Sequence, residues 1–372
     1  MLQKLSLLTI VLLFSLFTVA QVASVNTSAP IDSLVKNEDQ GPKDAPPLVN
    51  FSGSADVYYK YDFAKTKANN FTSFTNSQNS FALGMASLKA EHKGKKVSAL
   101  IDLGFGKRAT DFSYNDAGIL AAVKQLYITY APVAWLKFTA GTWATHIGYE
   151  LLDPQLNRNY SMSYMFTNGP FSHTGIKAEI TKGKHGFMLG VSNATDFRIV
   201  PDGLINKKFI IAQYSYAPTE KVKIYANYVG GQNPDTSKTN QVDVVVTAKV
   251  SGKFNIGYNG TYNSTKLWQN FKSSTAKSWW GSALYLNYDP LKWLGVTLRE
   301  EYFSDKDRLK LPMSINGCNM FASTLSANFK VDNFIFISEF RIDNASEPIF
   351  VKSNSTATKT AANVLFAAIY SF

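Results

Sequence analysis

The sequence contains very few cysteines and histidines. Among its 372 residues there are one cysteine, Cys318, and four histidines. A single cysteine cannot build an internal disulfide framework or a cysteine-based metal site. Lys and Arg outnumber Asp and Glu by 38 to 27, but the basic residues are scattered singly, without an arginine-rich run or a helical basic face. The charge pattern therefore argues against a nucleic-acid-binding protein.

Long apolar runs are missing beyond the N-terminus. Lys4, an apolar core from Leu5 to Val19 and small residues before Gln21 predict a signal peptide over residues 1–20. No cysteine follows it, which argues against a lipoprotein anchor. Residues 21–48 contain four prolines and mixed charges, so we expect a flexible lead-in. No later apolar run approaches the ~18 residues that a transmembrane helix needs.

From Val49 onward, apolar and polar residues alternate with the two-residue period of β-strands. The first segment, 49–63, is long enough to cross a bilayer, for which ~9–11 tilted residues are needed. About sixteen strands are predicted, and fourteen or eighteen remain possible. They lie near 49–63, 80–91, 96–106, 122–131, 135–145, 171–182, 186–193, 207–217, 221–230, 240–250, 253–263, 278–289, 293–303, 319–330, 333–343 and 360–372.

The connections between these strands alternate between short and long. Short ones occupy 93–95, 132–134, 183–185, 218–220, 251–252, 290–292 and 331–333. Long polar ones occupy 64–79, 107–121, 146–170, 194–206, 231–239, 264–277, 304–318 and 344–359. A β-sandwich has no reason to place every long loop at one end. Tight periplasmic turns and longer external loops are typical of a barrel in an outer membrane.

The last predicted strand supports closure. Val364, Phe366 and Tyr370 alternate with Leu365 and other apolar residues, so both faces of the strand are largely apolar. The strand contains no charged residue or proline that would prevent its exposed edge from pairing with another strand. Pairing with the first strand would remove that edge and satisfy the backbone inside a membrane. The predicted fold is an all-β, transmembrane antiparallel β-barrel that forms one domain over residues 49–372.

Three motifs carry a family resemblance. The stretches GTWATHIGYE at 141–150, NYSMSYMF at 159–166 and GPFSHTG at 169–175 resemble the OmpL-like β-barrel porins, which are common in the outer membranes of Bacteroidota. The segment EFRIDN at 339–344 is also similar to that family. The resemblance covers about residues 49–372. It implies an outer-membrane barrel with a pore, and it implies no catalytic residues and no cofactor.

The third long loop is the candidate functional segment. By analogy with general porins, it would fold inward and narrow the channel, with Glu150, Asp153 and Arg158 at the constriction. The alternation predicts that a mainly basic set of charged side chains faces the lumen. The basic members are Lys60, Lys137, Lys177, Lys223, Lys249, Arg299, Lys330 and Arg341, and the acidic members are Asp56, Asp62, Asp102, Glu179, Glu301 and Glu339. We therefore hypothesise a water-filled pore for small polar or ionic solutes with a mild anion preference.

Other interpretations stay open at this stage. The charges could instead pair across the lumen and stiffen a plugged, non-conducting barrel that assists other envelope proteins. His146 and His173 bracket the third loop, where a set of His146, Asn159 and Ser161 or Ser163 would suggest catalysis, and Glu150 with both histidines would suggest a metal site. Spacing alone supports neither, so we predict no enzyme and no metal. Expected partners are outer-membrane lipid and lipopolysaccharide, small polar solutes and, by analogy, other copies in a trimer.

Overall fold

The computed structural model describes residues 49–269, 272–273, 275–311 and 316–372. The predicted signal peptide, 1–20, and the predicted lead-in, 21–48, lie outside the described residues and stay predictions. Within the described part of the chain, no helix has the length and apolar character needed to cross a membrane.

Sixteen strands form one closed antiparallel barrel in which each strand pairs with its neighbours in sequence. The bounds are β1 Val49–Asp62, β2 Ser80–Lys93, β3 Val97–Phe105, β4 Val123–Val133, β5 Leu136–Ala144, β6 Ser172–Lys182, β7 His185–Ser192, β8 Phe209–Thr219, β9 Val222–Gln232, β10 Lys238–Lys249, β11 Phe254–Lys266, β12 Lys277–Leu291, β13 Leu294–Asp305, β14 Cys318–Val331, β15 Phe334–Ala345 and β16 Thr360–Ser371. The predicted fold class is confirmed. Several connections are shorter than predicted: for example, the predicted long connection 231–239 shrinks to 233–237, because β9 and β10 stay paired as far as Gln232 and Lys238.

The barrel closes between its first and last strands. Val364 pairs with Tyr61 and Tyr370 pairs with Ala55, so both edges of the sheet disappear. At the end of the chain, Phe372 and Gly53 exchange two backbone hydrogen bonds of 2.9 Å. A Cβ at Gly53 would lie 2.7 Å from the Phe372 ring, which explains why a glycine occupies this position.

The two faces of the wall differ as the alternation predicts. On β1, Val57 points outward and is 43% exposed, whereas its neighbours Asp56 and Tyr58 are buried on the inner face. Around the barrel, large apolar side chains such as Phe81 and Leu189 are exposed on the outer face. A continuous exposed apolar surface of this kind fits contact with lipid.

The short turns lie together at one end, here called the periplasmic end, and the long loops lie at the other, the external end. Three of the strands that lead into these turns, β4, β8 and β12, end with a Tyr-x-Pro segment beginning at Tyr130, Tyr216 and Tyr288, and the strand register shifts directly after each tyrosine. The shift follows because proline has no N–H to donate to the ladder. Trp135 and Trp293 are exposed at the same end, where aromatic side chains suit the membrane interface.

The external loops carry the remaining elements. L1 is 63–79, L2 is 106–122 with α1 (Lys107–Phe112) and a 3-10 turn (Gly118–Ala122), and L4 is 193–208. L3 is 145–171, with a 3-10 turn (Pro154–Leu156) and α2 (Tyr164–Asn168). Two small ladders lie in later loops, Trp268–Gln269 with Lys272–Ser273 and Phe350–Val351 with Ala357–Thr358.

Candidate functional site

L3 leaves the external end of β5 and lies inside the barrel. The side chain of Asn159 donates to Ser326 on β14 over 2.7 Å, and the hydroxyl of Tyr160 donates to Asp56 on β1. Tyr160 is completely buried. Asp56, Ser326 and their neighbours lie near the middle of their strands, so L3 occupies the interior at about the mid-height of the wall.

Two wall carboxylates hold the L3 backbone. Glu339 on β15 accepts from the backbone N–H groups of Tyr160, at 2.8 Å, and Ser161, at 3.2 Å. Glu301 on β13 accepts from those of Tyr164 and Met165, each at 3.0 Å. Both carboxylates are almost fully buried. Hydrogen bonds to an ionised acceptor are about twice as strong as neutral ones, so these side chains fix L3 in place.

Two arginines hold the carbonyl side of the same segment. Arg299 on β13 donates to the Ser161 carbonyl over 2.7 Å and also to Glu150. Arg341 on β15 donates to the Met162 carbonyl over 2.7 Å and forms an ion pair with Asp343. A guanidinium carries five N–H donors, so one side chain can bind loop carbonyls and a carboxylate together.

The three proposed constriction residues attach L3 to separate parts of the wall. Besides the contact of Glu150 with Arg299, Asp153 accepts from Lys124 on β4 over 2.5 Å. Arg158 binds Asp289 on β12 through two hydrogen bonds of 3.0 and 2.5 Å. L3 thus reaches from β4 to the periplasmic end of β12. Sequence reasoning missed Lys124 and Asp289, although Lys124 lies in the alternating pattern of β4 and Asp289 lies in the Tyr-x-Pro segment at the end of β12.

Several other proposed lumen charges contact either a loop or a neighbouring charge on the wall. Lys60 on β1 donates to Asn70, at 2.6 Å, and to the Thr75 carbonyl, at 3.0 Å, both in L1. Asp102 on β3 lies 3.0 Å from Lys124. Asp62 accepts from the backbone of Ala64, and Lys330 lies 3.6 Å from Asp289.

A second group of lumen charges stays partly accessible. Lys137 on β5 lies 2.9 Å from Glu179 on β6, and Lys177 lies 3.6 Å from the same carboxylate. The Lys137 side chain is 31% exposed. Lys223 on β9 is partly exposed, and Lys249 is exposed as the last residue of β10. The structure therefore places the predicted charges in two environments, a mostly buried set that contacts the loops or neighbouring wall charges and a more open set on β5, β6, β9 and β10.

The two histidines lie together, but without a third ligand. Their ring centres are 5.0 Å apart, and Nε2 of His146 donates to the Tyr228 carbonyl over 3.0 Å. His173 contacts the Thr145 hydroxyl, and Glu150 is engaged by Arg299. Among the described residues, no group of three His, Cys, Asp or Glu side chains is arranged to hold a metal ion. Burial lowers the pKa of His146 to about 4, so the ring is neutral at physiological pH.

Asp196 in L4 fixes the returning end of L3. Its carboxylate accepts from the backbone N–H groups of Phe171, at 2.7 Å, and Ser172, at 2.8 Å, and from the Tyr114 hydroxyl, at 2.9 Å. Burial raises the pKa of Asp196 to about 6, against the opposing effect of these donors. Nothing in the local sequence around Asp196 distinguished it from other loop acids.

Comparisons with known proteins give one family match and several similar structures. A family model described as "Putative beta-barrel porin-2, OmpL-like" matches residues 48–372. No curated protein matches the sequence. The outer membrane channel DcaP of Acinetobacter baumannii is similar in structure, with a TM-score of 0.60 and 11% identity over 88% of this chain and 97% of that chain. The anion-selective porin from Comamonas acidovorans gives a TM-score of 0.59 and 10% identity over 88% and 100%.

OmpT of Vibrio cholerae is a third structure with the same fold, at a TM-score of 0.57 and 11% identity over 89% of this chain and 99% of that chain. At these identities the likeness shows the fold alone. The family match spans the whole barrel. This chain belongs to the OmpL-like family of β-barrel porins.

Proposed function

We propose that this porin-like barrel is a diffusion channel for small polar or ionic solutes, and that L3 sets its narrowest section. The observation that carries the proposal is the use of buried wall charges to bind the L3 backbone. Glu301, Glu339, Arg299 and Arg341 are all 2% exposed or less, and each contacts L3. Preorganised charges that fix a loop across a barrel define a pore section of constant shape.

The solute route would lie along the wall opposite those anchors. There the lumen faces of β2 to β9 carry four partly exposed lysines, beside Glu91 and the more buried Glu179. These lysines are Lys89, Lys137, Lys177 and Lys223. A basic excess along a narrow aqueous passage favours anions, so we propose a mild anion preference.

The test is current recording from purified, folded protein in planar bilayers. We expect discrete conductance steps and a reversal potential of anion-selective sign under a salt gradient. The double variant Lys137→Gln/Lys177→Gln should shift the reversal potential towards cations, whereas Lys249→Gln at the exposed strand end should shift it little. Absence of any conductance would refute the channel, and cation selectivity of the wild type would refute the charge argument.

A second candidate is a non-conducting barrel that serves as a structural or assembly partner. The observation in its favour is an apolar cluster at the external end that joins L1, L2 and L3 through Phe74, Phe112, Phe166 and Phe171. Replacing 151–162 by a short Gly-Ser linker separates the two candidates. Conductance that appears only after this replacement would show that the intact loops seal the lumen.

The proposal also covers the export of the protein, its oligomeric state and its contact with lipopolysaccharide. Residues 1–20 would direct export and be removed, which mass spectrometry of the mature protein tests. The trimer form in which OmpT of Vibrio cholerae was solved suggests self-association here as well. The exposed lysines of the long loops, such as Lys65 and Lys107, would meet lipopolysaccharide phosphates. Chemical cross-linking in native membranes would detect the oligomer.

A further inference from the structure

The lumen faces of β8 to β11 differ in chemistry from those of β13 and β15. Apart from Lys223 and Lys249 near the periplasmic ends, their polar side chains are amides and hydroxyls with one carboxylate, Asp243. These side chains, here called the amide strip, are Gln213, Asn227, Gln241, Asp243, Asn259, Thr261 and Asn263. All seven are buried on the inner face. Direct register pairs place six of them side by side across neighbouring strands, and Asn259 lies diagonally to Asp243.

Hydrogen bonds fix the lower part of the amide strip. Gln213 donates to Asn227 over 2.8 Å, and Asn227 donates to Asp243 over 2.8 Å. Asn259 donates to the second oxygen of Asp243 over 2.5 Å. The backbone N–H of Gly148 in L3 also donates to Asp243, so the strip continues to the loop that we propose as the constriction.

The upper part is ordered in the same way but keeps unused capacity. Asn263 donates to the Gln241 oxygen over 3.3 Å, and Gln241 donates to Thr261 over 3.1 Å. Thr265 donates to the Asn263 oxygen over 2.9 Å. A carboxamide has two N–H donors and two lone pairs. Among the described residues, these bonds engage one N–H and one lone pair of the Gln241 amide, and likewise of the Asn263 amide.

A cavity of about 490 Å³ lies at the external end, directly on this upper part. Gln241, Asn263, Thr239 and Thr265 form its strand side. The loops add further amides and two aromatic rings, namely Asn115, Asn168, Asn233, Tyr114 and Phe197, and Phe209 at the start of β8 adds a third ring. The volume falls within the ~300–1,000 Å³ of typical small-molecule sites.

The donor set selects a class of ligand. A hydroxyl group both donates and accepts, and an amide edge that offers one N–H and one lone pair matches a pair of neighbouring hydroxyls. Aromatic rings suit the apolar C–H faces of a sugar. An inorganic anion would find little free positive charge, because Lys310 is the one basic residue among the lining residues and two aspartates, Asp196 and Asp235, also line the cavity.

We infer that this cavity, with the amide strip beneath it, binds neutral polyhydroxylated solutes of mono- to disaccharide size. Transport of such a solute rests on the proposed function, but binding does not. The two are therefore tested by separate measurements.

Calorimetric titration of the detergent-solubilised full barrel with maltose and with sucrose tests binding without requiring conductance. Asn263→Leu and Gln241→Leu should each weaken binding about tenfold, as expected for the loss of one or two hydrogen bonds of ~1 kcal/mol. The matched control is Asn255→Leu, which lies with Asn263 on the lumen face of β11 but outside the cavity. This control should change the affinity for sugar less than about twofold. Heat-dependent gel migration confirms that each variant is a folded barrel.

Three outcomes would overturn the inference. They are no binding of either sugar by the wild type, equal weakening by Asn255→Leu and Asn263→Leu, and full displacement of bound sugar by sodium sulfate. In planar bilayers, added maltose should produce current blockades that Asn263→Leu shortens. A conducting barrel that binds neither sugar refutes this inference alone, whereas a sugar-binding barrel without conductance refutes the proposed function alone.

Discussion

The attachment of L3 to the wall can be weakened without changing the strands. Glu301→Gln and Glu339→Gln keep the shape of each side chain but replace one carboxylate oxygen by an NH₂ group. That group cannot accept from the backbone N–H groups of L3, which now lie 2.8 to 3.2 Å from the carboxylate oxygens. We expect the double variant Glu301→Gln/Glu339→Gln to release L3 part of the time.

The size of the effect follows from the hydrogen bonds. A hydrogen bond to a charged group contributes ~1.5–3 kcal/mol, and each substitution removes one such bond and weakens the other. For two sites the docking free energy of L3 falls by about 3–6 kcal/mol, so the undocked population rises roughly 10²- to 10⁴-fold. The other anchors, Arg158 with Asp289 and Arg299 with Glu150, keep L3 docked in most molecules.

Two assays report the release. Single-channel recordings should show frequent transitions to a higher conductance in the double variant. Trypsin should cleave after Arg158 faster by the same factor as the undocked population, because cleavage follows the open fraction when opening and closing are fast. In the folded wild type Arg158 is held by Asp289, so the peptide bond after Arg158 should resist cleavage by trypsin.

The matched control is Glu179→Gln. It removes one negative charge from the lumen wall, but Glu179 pairs with Lys137 and Lys177 and not with L3. We expect altered ion selectivity and unchanged trypsin cleavage in this variant. Equal cleavage after Arg158 in the wild type, the control and the double variant would refute the assignment of the two carboxylates as anchors of L3.

Three further predictions concern pH, the lipid-facing surface and closure. Burial lowers the pKa of His146 from 6.5 to about 4, so the unfolded chain binds a proton in this window that the folded chain does not. The free energy of unfolding should therefore fall by about 3 kcal/mol as pH drops through the window. Urea titrations at several pH values should show a smaller pH dependence of the unfolding free energy for His146→Gln than for the wild type. An equal pH dependence in both proteins would contradict this. On the outer face of the described strands, Glu300 is the one Asp, Glu, His, Lys or Arg side chain away from the strand ends, and it accepts from Ser323 over 2.6 Å. Glu300→Leu should raise the unfolding free energy in liposomes by about 1–2 kcal/mol, because a carboxyl group is disfavoured in contact with lipid. A lower unfolding free energy would instead indicate that the outer face around Glu300 contacts another copy of the chain. Gly53→Val should reduce the folded fraction on heat-modifiable gels, since its Cβ would lie 2.7 Å from the Phe372 ring, and an unchanged fraction would show that the β1–β16 seam is not tight.

The strands and their faces were predictable because each depends on local sequence. A side chain points to the opposite face from its neighbour, so alternation such as Val242, Asp243 and Val244 on β10 assigns lipid and lumen directly. The lengths of the connections then assign the two ends. The same logic placed Glu301, Glu339 and Arg341 on the inner face.

What these inner charges contact was decided only by the tertiary structure. Tyr160 and Glu339 are 179 residues apart in the sequence, and Arg158 and Asp289 are 131 apart. No local pattern encodes which loop atom meets which wall side chain, so the anchors Lys124, Asp196 and Asp289 were missed. The sequence by itself determined a barrel with a charged interior, since the period of a strand is a property of neighbours in the chain. Closure of the barrel brought L3 against a distant wall, and that contact decided which charges bind the loop.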